Sequence, residues 1–189
     1  MSLIKRVVNN VFWVFPLSKM LAEFITIKMR FLSLSETDYW NECERFYDSL
    51  DFNNAVVIDI GDDVGTSPLF FISRGAKQVY GFSTMPQLYF NSKYKHSRYR
   101  ITEKNIGSFI DSVKEILSHN EHERTILKMD VEGAEWLFNV DFINMFDDYV
   151  VALHSPIKNE PLYEWIKSNS VFIGNVNAIE FAVYKRMRK

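Results

Sequence analysis

From residue 55 onward the chain alternates short apolar runs with stretches that carry helical spacing. Ala55 to Ile58 is a continuous apolar run ending in Asp59, as expected for a strand buried on both faces of a parallel sheet. Gly61 and Gly65 mark the following turn, Leu69 to Ser73 reads as a helix stopped by Gly75, and Gln78 to Phe82 forms a second short run. Pro86 then opens a helix, Arg100 to Lys104 gives a weak polar strand, and Ser108 to Leu117 gives another helix. Thr125 to Met129 is a strand ending in Asp130, a helix starts at Ala134, and Tyr149 to Leu153 is a strand ending in His154. The tail breaks the alternation, because Val171 to Asn175 and Ala178 to Tyr184 are too close for an intervening helix and must pair antiparallel. The pattern predicts an α/β fold, a parallel sheet with one antiparallel hairpin at its edge. Before it, Tyr39, Cys43, Phe46 and Leu50 recur at helical spacing and predict a helix over 37–50.

Composition narrows the class. With 189 residues, 47% of them hydrophobic and 24% charged, the chain is long enough for one domain with a substantial core. There is no repeat and no Pro/Gly/Ser-rich linker, so the organisation predicted is a helical extension over 1–50 and a single domain over 51–189. The lone Cys43 permits no internal disulfide, which points to a reducing, cytoplasmic setting. A net charge of -2 argues against a bulk electrostatic grip on nucleic acid. In the extension, Lys5, Arg6, Lys19, Lys28 and Arg30 outnumber Glu23, and the apolar run Val11 to Phe15 is broken by Pro16. The run is too short to span a membrane. It reads as an amphipathic segment covering the domain or a partner subunit, with peripheral membrane contact as the other reading.

Candidate chemistry gathers where the strands end, the place where open parallel sheets bind ligands. After the first strand comes Asp59-Ile60-Gly61-Asp62-Asp63-Val64-Gly65; its glycines allow a close backbone approach, and Asp59 can accept hydrogen bonds from a cationic amine. After the fourth comes Asp130-Val131-Glu132-Gly133-Ala134-Glu135, in which Asp130 and Glu132 flank the cleft and Glu135 reads equally as a first-turn acid favoured by the helix dipole.

These two strings, together with Gly75-Ala76, Val79, Gly81-Phe82, Pro86 and His154, resemble the FkbM-type S-adenosylmethionine-dependent methyltransferases. The resemblance covers roughly residues 55–156, and Asp130 to Glu135 is its most specific part. It implies a Rossmann-like class I methyltransferase sheet of strand order 3-2-1-4-5-7-6, S-adenosylmethionine as methyl donor, and O-methylation of a sugar or other small-molecule hydroxyl. It also implies a donor site of Asp59, Gly61, Asp62, Gly65, Ser83 and Asp130, and a catalytic set of Asp130, Glu132 and His154. His154 or Asp130 would serve as the general base, since either can reach a proton in the cleft.

The chain departs from that family at informative places. Ser83 stands where an acid usually binds the donor's ribose, and Asp62 and Asp63 replace a small residue and an asparagine. A hydroxyl supplies only part of a bidentate carboxylate contact. A non-catalytic or altered-ligand descendant is therefore a second functional reading. A third, an RNA methyltransferase, draws on Lys93 to Arg100, where basic residues alternate with Tyr94 and Tyr99; a solvated edge is the simpler account. His119 and His122 lie in a polar stretch that reads as an exposed loop, and no metal site is predicted.

Overall fold

A computed structural model describes residues 36–62, 65–85, 91–154, 160–175 and 181–186. Two compact units divide the chain, Met1–Asn41 and Glu42–Lys189. Of the first, only the opening of α1 (Glu36–Tyr47) is described. The amphipathic segment before it, Asp63, and the helix expected at Pro86 lie outside the described residues.

The second unit alternates strand and helix. Its elements are β1 (Val56–Ile60), α2 (Thr66–Ser73), β2 (Gln78–Ser83), β3 (Tyr94–Arg98), α3 (Ile106–Ser118) and β4 (Thr125–Met129). There follow a 3-10 turn (Ala134–Leu137), α4 (Val140–Ile143), β5 (Asp148–His154), α5 (Pro161–Asn169), β6 (Ser170–Asn175) and β7 (Phe181–Arg186). The strands form one seven-stranded sheet in the order β3-β2-β1-β4-β5-β7-β6. The first five pair parallel, while β7 runs antiparallel to both β5 and β6. This is the α/β fold and the strand order that the family resemblance implies.

Every residue of β1 and β4 is buried, which explains why apolar residues dominate both. Side chains alternate between the two faces. On one face Ile58, Ile60, Leu127, Met129, Phe82 and Val151 pack with Phe109 and Val113 of α3 and with Phe138 and Phe142. The opposite face has its own aromatic layer, in which Phe52 stacks on Phe71 at 4.8 Å and Tyr47 meets Phe71 edge-on at 5.4 Å. Cys43, Phe46 and Leu50 are buried as their helical spacing predicts.

The third strand is not where the apolar pattern places it. The third strand is Tyr94–Arg98, not Arg100 to Lys104. In the latter stretch Asn105 ties a turn, accepting from Thr102 N–H at 2.8 Å and donating to Arg100 O at 2.8 Å. The strand lies at the sheet's edge, where its buried or half-buried positions, Tyr94 and His96, alternate with exposed Lys95 and Ser97. An edge strand rich in charge is also what discourages pairing with a foreign strand.

The register places His96, Gly81, Asp59 and Lys128 in one row across β3, β2, β1 and β4. Residues paired in this way project on the same side of the sheet. A polar row therefore crosses an otherwise apolar face, just below the carboxyl ends of the strands.

Candidate active site

At the end of β1 the Asp59 carboxylate is fully buried. It accepts from Ser67 Oγ at 2.6 Å and pairs with Lys128 Nζ at 3.0 Å. The cationic amine expected for Asp59 is thus supplied by the chain itself, from the directly paired position on β4. Burial pushes the Asp59 carboxyl up to about 6 against the opposing pull of Lys128, with Asp62 adding to the rise and Ser67 opposing it. For Lys128, burial disfavours the charge, but Asp59 and its neighbours outweigh it and raise the pKa. Lys128 Nζ also donates to Gly61 O.

Gly61 is where the loops after β1 and β4 meet. Its φ is +86°, and a Cβ there would lie 1.7 Å from the Asp130 carbonyl oxygen, so no side chain fits. Gly61 N–H donates to Phe82 O at 2.7 Å and Asp130 N–H to Ile60 O at 2.9 Å. Asp59, Gly61 and Asp130 therefore share one locality, in which Asp59 is fully buried. Gly65, at φ +102°, caps the start of α2 and donates its N–H to Asp62 O at 2.9 Å.

Asp62 is fully buried and directed onto β2 and β3. Its Oδ2 accepts from Tyr94 OH and contacts His96 Nδ1 at 2.9 Å. Ser83 ends β2, and its Oγ accepts from Met85 N–H at 3.1 Å, so the hydroxyl helps to close the turn at the place the resemblance assigns to a ribose-binding acid.

The ends of β4 and β5 hold the catalytic candidates. His154 Nδ1 lies 3.0 Å from Glu135 Oε1, and the same oxygen accepts from the His154 backbone N–H. Glu135 Oε2 accepts from Gly133 N–H at 2.7 Å. A carboxylate can only accept, so Nδ1 carries a proton and Nε2 is the ring's titrating atom. That atom faces Asp130 Oδ1 at 3.5 Å. Burial disfavours charge on His154, but the hydrogen bond and charge of Glu135, helped by Asp130 and Glu132, outweigh it and hold its pKa above the usual 6.5. Glu132 is exposed and sits at φ +48°, a backbone conformation uncommon outside glycine.

Glu135 and Lys128 are the functional residues the sequence reading left without a role. Glu135 is fully buried, and it lies in a four-residue 3-10 turn begun by Ala134, not in the helix whose dipole would favour an acid. Glu42 of α1 joins the same neighbourhood: burial raises its pKa, and Asp130 raises it further while Lys128 opposes. By contrast, His119 Nδ1 is taken by Glu115 O at 2.7 Å and His122 is exposed beside Glu121.

Comparison with known proteins gives the chain viral relatives. The chain is 31% identical over 124 residues to Uncharacterized protein 158B of Sulfolobus islandicus rod-shaped virus 1, spanning 64% of this chain and 74% of that protein. The chain belongs to the family of protein 158B. It is also 28% identical over 129 residues to Uncharacterized protein 65 of a Sulfolobus islandicus filamentous virus, spanning 66% of this chain and 75% of that one. No sequence-family profile matches the chain. Among solved structures, a Plasmodium falciparum protein provisionally named a ribosomal RNA methyltransferase superposes with a TM-score of 0.57 at 14% identity, over 82% of this chain and 97% of its own. A Lactococcus lactis protein provisionally named a hemolysin superposes with a TM-score of 0.50 at 13% identity, over 77% of this chain and 83% of its own. At such identities the likeness is one of fold, and it places this member of the 158B family in the Rossmann-like methyltransferase architecture.

Proposed function

We propose that the chain is an S-adenosylmethionine-dependent methyltransferase of the FkbM type, acting on a hydroxyl of a small molecule or sugar. The observation that carries this reading is the Glu135–His154 pair, which fixes the imidazole so that Nε2 faces Asp130 at the ends of β4 and β5. The first loop suits the donor. Gly61 and Gly65 bring backbone close to the cleft, and Thr66 Oγ1, in the first turn of α2, is buried with no partner among the described residues. An orphaned hydroxyl beside helix N–H groups that no side chain caps is a ready partner for an anionic or polar ligand group.

When bound, S-adenosylmethionine would supply an electrophilic methyl group on a sulfonium. Asp130 and the Gly61 to Gly65 loop would hold it, with Asp59 acting through Lys128 to fix Gly61. His154 Nε2 takes the acceptor's hydroxyl proton as its oxygen attacks, and Glu135 stabilises the imidazolium that forms. Asp130 and Glu132 orient the acceptor. A cytoplasmic setting belongs to this reading, since the lone Cys43 permits no internal disulfide, as is usual in a reducing compartment.

Calorimetric titration with S-adenosylmethionine and S-adenosylhomocysteine tests the reading: micromolar binding supports it, and no heat at millimolar ligand overturns it. The observation at Ser83 favours a second reading, an altered-ligand descendant, because the hydroxyl is drawn into the turn with Met85. Ser83→Glu is expected to tighten S-adenosylhomocysteine about tenfold, the worth of a charged hydrogen bond. Unchanged affinity in a folded variant would mean that the ribose does not lie at this position. The RNA reading is weakened because Tyr94 is buried and Tyr99, half-buried, packs on Phe109 at 5.2 Å.

A further inference from the structure

We infer that Asp62 is a latch that fixes the loop between β1 and α2 onto β2 and β3, and that Gly81 is the seat that admits it. A Cβ on Gly81 would lie 1.9 Å from Asp62 Oδ2 and 2.7 Å from Tyr94 Cε2. The space that every other residue type would fill at position 81 is therefore occupied by the carboxylate of position 62. Two groups of β3 grip that carboxylate oxygen: Tyr94 OH donates to it, and His96 Nδ1 lies 2.9 Å away. His96 is the direct register partner of Gly81, which sets its ring beside the seat.

Packing alone does not account for this choice of residues. Asp62 Oδ1 and His96 Nε2 are buried with no partner among the described residues. A buried carboxylate oxygen left unanswered destabilises a fold, and a small apolar residue at position 62 would avoid that cost. What the carboxylate does provide is a fixed anchor for the chain two residues beyond β1. The loop's flanks are held separately, by Gly61 N–H on Phe82 O at 2.7 Å and by Gly65 N–H on Asp62 O at 2.9 Å. Asp62 is thus a positioning residue, setting where the loop backbone and the start of α2 stand relative to the strand ends. The latch rests on the donor-binding reading only for its ligand readout.

Amide hydrogen exchange at Gly61 and Gly65 in the ligand-free full chain reads the latch directly, with thermal unfolding and S-adenosylhomocysteine calorimetry on the same samples. Asp62→Ala takes the acceptor from Tyr94 OH and the partner from His96 Nδ1, so it is expected to lower the unfolding midpoint, while exchange at both glycines accelerates about tenfold or more beyond that global loss, a local opening. Its S-adenosylhomocysteine affinity should fall about tenfold, because the loop must then be ordered on binding. Gly81→Ala displaces the carboxylate and should lower the midpoint in the wild-type background, but far less in the Asp62→Ala background, a non-additivity that contacting residues show. Tyr94→Phe keeps the ring, removes one donor and should accelerate exchange less than Asp62→Ala. Additive effects of the two substitutions, or wild-type exchange in Asp62→Ala and Tyr94→Phe, would overturn the latch. If exchange responds as expected while the wild-type chain binds no S-adenosylhomocysteine, the latch stands and the donor reading falls.

Discussion

Replacing Lys128 with methionine is expected to destabilise the fold by about 3–5 kcal/mol, the effect of removing one partner from a buried ion pair. Lys128 is 5% exposed and Asp59 is not exposed at all, so solvent cannot take over the role of the missing ammonium. Methionine keeps the stem's volume, and packing on the aromatic face is preserved. What is lost is the charge opposite Asp59, together with the bond to Gly61 O. The Asp59 carboxyl, already pushed up to about 6 by burial, rises further once Lys128 no longer opposes it. An acid whose folded pKa exceeds its unfolded value holds a proton that unfolding releases, so stability falls as pH rises through that window. The deficit should therefore be larger at pH 8 than at pH 5 in urea unfolding, and Asp59→Asn with Lys128→Met should recover most of it. Wild-type urea midpoints for Lys128→Met at both pH values would show that the pair does not hold the sheet.

His154→Ala should lower the turnover of methyl transfer by about 10²–10⁴-fold, the usual contribution of a positioned base. The affinity for S-adenosylhomocysteine should fall far less than turnover, because the imidazole acts on the acceptor's proton and is held by the carboxylates of Glu135 and Asp130. As a base the imidazole must be neutral. Its pKa is held above 6.5, so kcat should rise with pH through a value above the ordinary one and level off once the proton is lost. Glu135→Gln removes the charge that supports the imidazolium and should move that rise to lower pH. The same linkage has a stability side: the contribution of the His154–Glu135 pair is fully present below the unfolded histidine value and is lost as pH climbs through the folded one. A fall in donor affinity equal to the fall in kcat would make His154 a binding residue and not a base.

The architecture was largely legible because β1, β4 and β5 are buried on both faces and so announce themselves as apolar runs with polar ends. Asp59, Asp130 and His154 mark those ends, and the resemblance to FkbM-type proteins rests on the same strings. The third strand was misplaced because an edge strand buries only alternate positions; inside Lys93 to Arg100 the signal was Tyr94 and His96 at spacing two, masked by the charges between them. The helix at Pro161–Asn169 was missed despite Pro161 at its first turn and Leu162 and Ile166 four apart, both buried. Glu135 reads equally well as a first-turn acid of a new helix. Only the approach of β5, distant in sequence, makes it the partner of His154. Lys128 did carry a readable signal, a lone cation inside an apolar strand, which demands a buried carboxylate. Asp62 offered none, since its seat is an absence of side chain at Gly81 on another strand.

The cross-strand pairing of Asp59 with Lys128 also decides which alignment of the central strands the chain can accept. Sliding β4 by one residue against β1 would bring Leu127 or Met129 opposite Asp59 and swing the ammonium to the other face, among Phe109 and Phe142. The apolar side chains on either side are similar enough in size that they would tolerate such a slip. The charges would not, since each would be entombed without its counterion. Two adjacent strands of nearly interchangeable Val, Ile and Leu are thus given a single permitted alignment by one acid and one base, and with it the glycine and carbonyl that meet above them fall into place.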